Sequence, residues 1–222
     1  MAEIATTEAV HPAGLAHHFD SLEQQADAAT LGMWVFLVTE VLFFGGLFTA
    51  YMVYRSTYPD AFAIASKHTL IQLGALNTAI LITSSLTMAL AVYASQEGNG
   101  KGVFRFLVLT WILGACFLVV KGIEYTTDFR EHLVPGAHFA IEGANPGHAQ
   151  LFFSLYFIMT GLHAIHMIVG LTILIVMMYM ARKGKFTKEY HIPMEVTGLY
   201  WHFVDIVWIF LFPLLYLIDR HK

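Results

Sequence analysis

From residue 149 to residue 181 the chain carries no Asp, Glu, Lys or Arg. A run that apolar has to lie in lipid or in a large protein interior, and about 20 apolar residues already cross the hydrocarbon of a bilayer as a helix. At about 1.5 Å per residue it would reach roughly 50 Å, so it must tilt or project beyond the lipid. Four more windows, near 29–54, 69–94, 103–125 and 193–218, are long and apolar enough to do the same. Composition agrees: the 222 residues are 57% hydrophobic and 13% charged, far more apolar than a soluble domain of this length. The expected fold is all-α, a polytopic membrane protein built as a five-transmembrane-helix bundle.

The breaks between these windows carry "STYPD" (56–60), "QEGNGKG" (96–102), "PGAHFAIEGANPG" (135–147) and "RKGKFTKEY" (182–190), all rich in Gly, Pro or charge as loops are. No internal repeat is evident. The reading is a polar amino-terminal tail, residues 1–28, followed by one transmembrane domain, residues 29–222. The tail has no Lys or Arg and no apolar core, so it does not read as a signal peptide. Arg182, Lys183, Lys185 and Lys188 concentrate positive charge in the last loop, which puts the amino terminus in the cytoplasm and the carboxyl terminus outside. The net charge of −4 is not gathered in blocks, which argues against nucleic acid as a partner. The single Cys116 rules out an intrachain disulfide and a Cys-based metal cluster.

A few ionisable residues interrupt the apolar windows. In "YWHFVDIVWIFLF" (200–212) a histidine and an aspartate sit among residues that would be content in oil. At about 100° per residue, Glu195, His202 and Asp205 fall within an arc of roughly 80°, a stripe about 15 Å long that faces protein or water. Glu40 lies near the middle of the first window, so its carboxyl must be protonated, paired or open to a water-filled recess. His163 and His166 are three residues apart on one face of the fourth window. Lys121 and Glu124, also three apart, close the third window and are expected to pair near the interface.

Each has two readings. His, Glu and Asp in membrane helices serve as interhelical hydrogen-bond partners, and they also mark proton or ligand pathways. On the first reading His202 is a candidate partner of Glu195 and Asp205, and the set forms a structural polar network. Gly45, Gly46, Gly161 and Gly170 are expected to allow close helix contact, and the tryptophans to form interface belts and packing surface. Haem ligation between the fourth and fifth windows is tested by depth: counted from their shared loop, His202 lies about 14 Å in and His166 and His163 about 22–27 Å in. That mismatch argues against a bis-histidine haem, and two histidines alone are too few for a metal site. No catalytic, cofactor or metal residue is expected in this chain.

The blocks "LGMWVFLVTEVLFFGGLFTAY" (31–51), "LNTAILITSSLT" (76–87), "KGIEY" (121–125), "YFIMTGLHAIHMIVG" (156–170) and "EVTGLYWHFVDIVWIFLF" (195–212) together resemble subunit III of the haem-copper terminal oxidases. The resemblance touches all five windows. It implies a subunit without redox centres, with haems and copper held by partner subunits. Such a subunit packs beside subunit I, with subunit II in the same complex, stabilises it and supports proton uptake. It also implies phospholipid in a cleft beside the glutamate that Glu40 matches. The longer members of that family have seven helices, and the resemblance implies that the five windows here match the last five, as in shortened bacterial members. A bacterial plasma membrane and cytochrome c as electron donor, ahead of a quinol, follow as expectations. Alternatives are an accessory subunit of a bacterial nitric oxide reductase, a membrane cytochrome, or a stand-alone proton-coupled transporter.

Overall fold

The computed structural model describes residues 15–136, 139–141 and 143–218. All regular structure among them is helical: α1 (Leu22–Thr57), α2 (Pro59–Lys67), α3 (Ile71–Gln96), α4 (Gly100–Arg130), α5 (Pro146–Arg182) and α6 (Ile192–Tyr216). Five of these, all but α2, are long and apolar enough to cross a membrane. The chain is a polytopic helical membrane bundle.

Helix ends follow local chemistry. α1 begins at Leu22, ahead of the window at 29, because Ser21 accepts from the Gln24 amide at 3.1 Å and caps the first turn. Residues 22–28 of the expected tail are therefore helical. α3, α4 and α5 each close with a 6→1 backbone bond: Asn99 N to Ala94 O at 2.9 Å, Leu133 N to Asp128 O at 3.0 Å and Lys185 N to Met180 O at 3.2 Å. The left-handed residue that this turn needs is glycine at Gly98 (φ 71°) and Gly184 (φ 66°), but histidine at His132 (φ 57°). The short α2 starts on Pro59 at its first turn and buries Ala61, Phe62, Ala65 and Ser66.

α3 packs on α4, α4 on α5, α5 on α6 and α6 back on α3, so four helices close a square. At its centre Trp201 of α6 donates Nε1–H to Ser84 of α3 at 2.8 Å. Its ring lies so close to Gly114 of α4 and Gly170 of α5 that a Cβ would meet it at 2.8 and 3.0 Å respectively. Of the glycines expected at helix contacts, Gly170 makes one. Gly45 and Gly46 have nothing within 4 Å, and Gly161 meets only the Tyr125 hydroxyl at 3.9 Å. The correction has a simple cause: which glycines lie inward depends on helix rotation, which spacing along one helix does not fix. Trp201 and Trp208 are likewise core residues, while Trp34 is exposed.

α1 lies outside the square along the α5–α6 edge, with α2 wedged against α1, α5 and α6. Its buried residues, Leu37, Phe44 and Tyr51, recur every seven positions and form one straight seam. Tyr51 donates to the Leu214 carbonyl of α6 at 2.5 Å. The rest of α1, from Leu31 and Trp34 to Met52 and Val53, presents an apolar surface outward, as a lipid-facing helix does.

Candidate functional site

Glu40 sits on the α1 seam between Leu37 and Phe44, and its carboxyl meets His166 of α5: Oε2 lies 3.1 Å from Nε2. The other ring nitrogen, Nδ1, is 2.8 Å from the Leu162 carbonyl, one turn back on α5. A carbonyl only accepts, so Nδ1 carries a proton. The Nε2–Oε2 contact then needs exactly one more proton, on the carboxyl or on the ring. In both arrangements the pair is neutral overall and holds one mobile proton, which lets a carboxyl sit at mid-membrane without an isolated charge. Phe44 covers the imidazole edge-on at 5.3 Å, and the Tyr200 hydroxyl of α6 donates to the His166 carbonyl at 2.9 Å. The two side chains are 18% and 17% exposed, so the pair stands at the rim of the bundle and not in its core.

His163, one turn away, turns to a different neighbour. Its Nε2 donates to the Val204 carbonyl of α6 at 3.1 Å, and its ring lies between Phe117 and Trp208. Three residues on a helix differ by about 60° in direction, enough to send one histidine to α6 and the other to α1. The contacts also overturn the depth count. His166 is level with Tyr200 and His163 with Val204, so His202 lies at about their depth. Counting from the shared loop fails because α5 extends about 10 Å past the start of α6 by helical rise. Direction is what separates them, since His202 reaches Ser85 of α3, Nδ1 to Oγ at 2.7 Å.

The α6 stripe is not brought together as one network. Glu195, at the start of α6, accepts from Gln96 at 2.7 Å and lies 3.3 Å from His191. His202 belongs to Ser85, and Asp205 is paired with neither. Ser85 stands beside Asp205, yet both carboxyl oxygens are buried without a hydrogen bond of acceptable geometry. A stripe 15 Å long meets a new neighbour at each level, so shared direction on one helix does not make its members partners.

Lys121 and Glu124 do pair, at 2.9 Å. α4 runs on to Arg130, so the pair lies inside the bundle, with side chains 3% and 0% exposed. The ammonium uses all three protons: on Glu124, on the Tyr156 hydroxyl at 3.0 Å and on the Tyr216 hydroxyl at 2.7 Å. Tyr156 donates onward to Asp128 at 3.3 Å. The rings of Tyr125, Tyr156, Trp208 and Tyr216 stand 4.6–5.5 Å from Nζ, close enough for cation–π attraction. This knot ties α4 to α5 and α6. Sequence reasoning missed Asp128 and the tyrosines; the available signal was the spacing Lys121, Glu124, Asp128 on one helical face.

Five spans whose ionisable side chains act between helices, with no three His, Cys, Asp or Glu gathered as a metal site among the described residues, define an integral membrane protein of the polytopic helical class. The profile of the family described as cytochrome c oxidase subunit III matches residues 15–219. The chain is 30% identical over 212 residues to cytochrome c oxidase subunit 3 of Thermostichus vulcanus, covering 95% of this chain and 98% of that one. It is 36% identical over 192 residues to the Corynebacterium diphtheriae protein of the same name, covering 86% and 88%. Against the Synechocystis protein identity is 33% over 193 residues, covering 86% of this chain and 76% of that one. The chain belongs to the cytochrome c oxidase subunit III family. It is thus a subunit of a haem-copper oxidase, assembled with other subunits of that enzyme.

Proposed function

We propose that this chain is a non-redox subunit of a proton-pumping haem-copper terminal oxidase, which reduces oxygen to water with cytochrome c as donor. Its task is to stabilise the haem-bearing subunit I during turnover and to support proton uptake. In this reading it sits in a bacterial plasma membrane beside subunits I and II, amino terminus in the cytoplasm, and phospholipid lies against the open face of α1. The observation that carries the proton role is the Glu40–His166 pair. It combines a mid-membrane position, partial exposure and one shared proton that both partners can hold. The Lys121 knot, Glu195, His163 and His202 act between helices and hold the bundle that positions this pair.

Glu40→Gln tests the proposal. Glutamine keeps the size and a hydrogen bond to His166 but cannot release a proton. The purified oxidase carrying it should retain its haem spectrum and subunit composition, while proton uptake slows or the enzyme inactivates in fewer turnovers. Loss of the subunit from the complex would make Glu40 a packing residue. Unchanged uptake and lifetime would remove the proton role altogether.

A further inference from the structure

Between α3 and α6 runs a groove of ≈ 400 Å³ whose lining includes Ile82, Ser85, Leu86, His202, Asp205 and Ile206. Its walls are apolar and open: Ile82 is 55% exposed, Leu86 61% and Ile206 50%. Its floor is polar. Asp205 is 3% exposed, with Ser85 beside it but no hydrogen bond of acceptable geometry to either oxygen, and His202 has one nitrogen fixed on Ser85 while the other makes no hydrogen bond among the described residues. By helical rise Asp205 stands about 20 Å from the start of α6, at hydrocarbon depth, where headgroups and bulk water do not reach. Acyl chains would fill the groove's volume but offer the carboxyl and imidazole nothing to bond with, and polar groups left so at that depth are costly.

We infer that this groove seats a transmembrane helix of a neighbouring oxidase subunit, one that presents a hydrogen-bonding side chain to His202 and Asp205 at mid-membrane between apolar residues that pack on Ile82, Leu86 and Ile206. The inference rests on the reading of the chain as an oxidase subunit, and it assigns that association to one face. Two parallel ridges of branched side chains with a gap between them are what a third helix packs into, and interhelical hydrogen bonds are a main source of specificity where no hydrophobic drive exists between helices. Along α1 the polar groups answer each other or their own helix, Glu40 on His166 and the Thr39 and Thr49 hydroxyls on backbone carbonyls, so none is left open as on the floor of the groove.

The test uses the whole oxidase in native membranes, with a photoreactive benzoylphenylalanine placed at Leu86 or at Ile206, and at Val119 of α4 as a control of equal exposure. Leu86 and Ile206 should each give a covalent adduct with another oxidase polypeptide, and Val119 none. Adducts with lipid alone, equal labelling from Val119, or a dimer of this chain would overturn the inference. A second arm compares Asp205→Asn with Asp205→Leu. The asparagine variant should stay in the purified complex, whereas the leucine variant should accumulate in membranes normally yet show a weaker association by about threefold to twentyfold. Equal retention of both would also overturn it. If the wild-type chain itself fails to co-purify with a haem-bearing complex, the oxidase reading falls and not merely the choice of face.

Discussion

Lys121→Met removes an ammonium that occupies three acceptors at once, and the structure sets the size of the effect. Methionine fills nearly the same volume, so packing changes little. What is lost is the only cation facing Glu124 among the described residues, and the second carboxyl oxygen, Oε1, already lacks a partner. Asp128, held by Tyr156, lies in the same knot. Two acids would then share a buried site without a counter-charge. Removing one partner of a buried ion pair costs about 3–5 kcal/mol, while replacing both by apolar residues is often near neutral. The expected result is therefore a loss of about 3–5 kcal/mol for Lys121→Met and recovery to within about 1–2 kcal/mol for Lys121→Met with Glu124→Leu. Equilibrium unfolding in mixed detergent micelles, followed by circular dichroism, reads both. The reasoning fails if the single variant costs less than about 1 kcal/mol, or if the double variant is no more stable than the single.

Glycine substitutions should separate inward from outward helix faces. Gly170→Leu drives a side chain into Trp201 and should cost at least about 3 kcal/mol in the same assay or prevent folding, whereas Gly46→Ala, with open space around it, should be neutral or stabilise by up to about 1 kcal/mol. His132→Gly relieves a left-handed histidine and should stabilise by about 1 kcal/mol, seen as a rise of about 2–4 °C in the melting temperature.

The five spans were legible because about 20 apolar residues in a row have few other places to go. α2 was not: nine residues, Pro59–Lys67, are too short for that test, although Pro59 followed by Asp60 is a helix-start signal. The Lys121–Glu124 pair was readable because both residues stand on one helix, three apart, where geometry is local. Glu40 and His166 are 126 residues apart, and their meeting depends on how α1 is rotated and how far it slides along α5. Neither quantity is written in spacing. The same gap explains the wrong depth count for His202, which treated a shared loop as a shared level. It also explains why His202 found Ser85, a residue no motif singled out.

The ionisable groups divide by how their need is met. Lys121 and Glu124 answer each other in a dry knot among α4, α5 and α6. Glu40 and His166 share a single proton between α1 and α5, a contact that stays neutral overall whichever partner holds it. Asp205 has no such answer within the described chain. Soluble proteins can leave a carboxylate to bulk water, but a mid-membrane carboxyl needs a partner, a proton of its own or a water-filled recess. An unsatisfied acid beneath an open groove at that depth therefore says that the fold is finished elsewhere, by a second polypeptide. What sets Asp205 apart from the other buried polar groups is the open groove above it, which suits a subunit whose work is done against a neighbour.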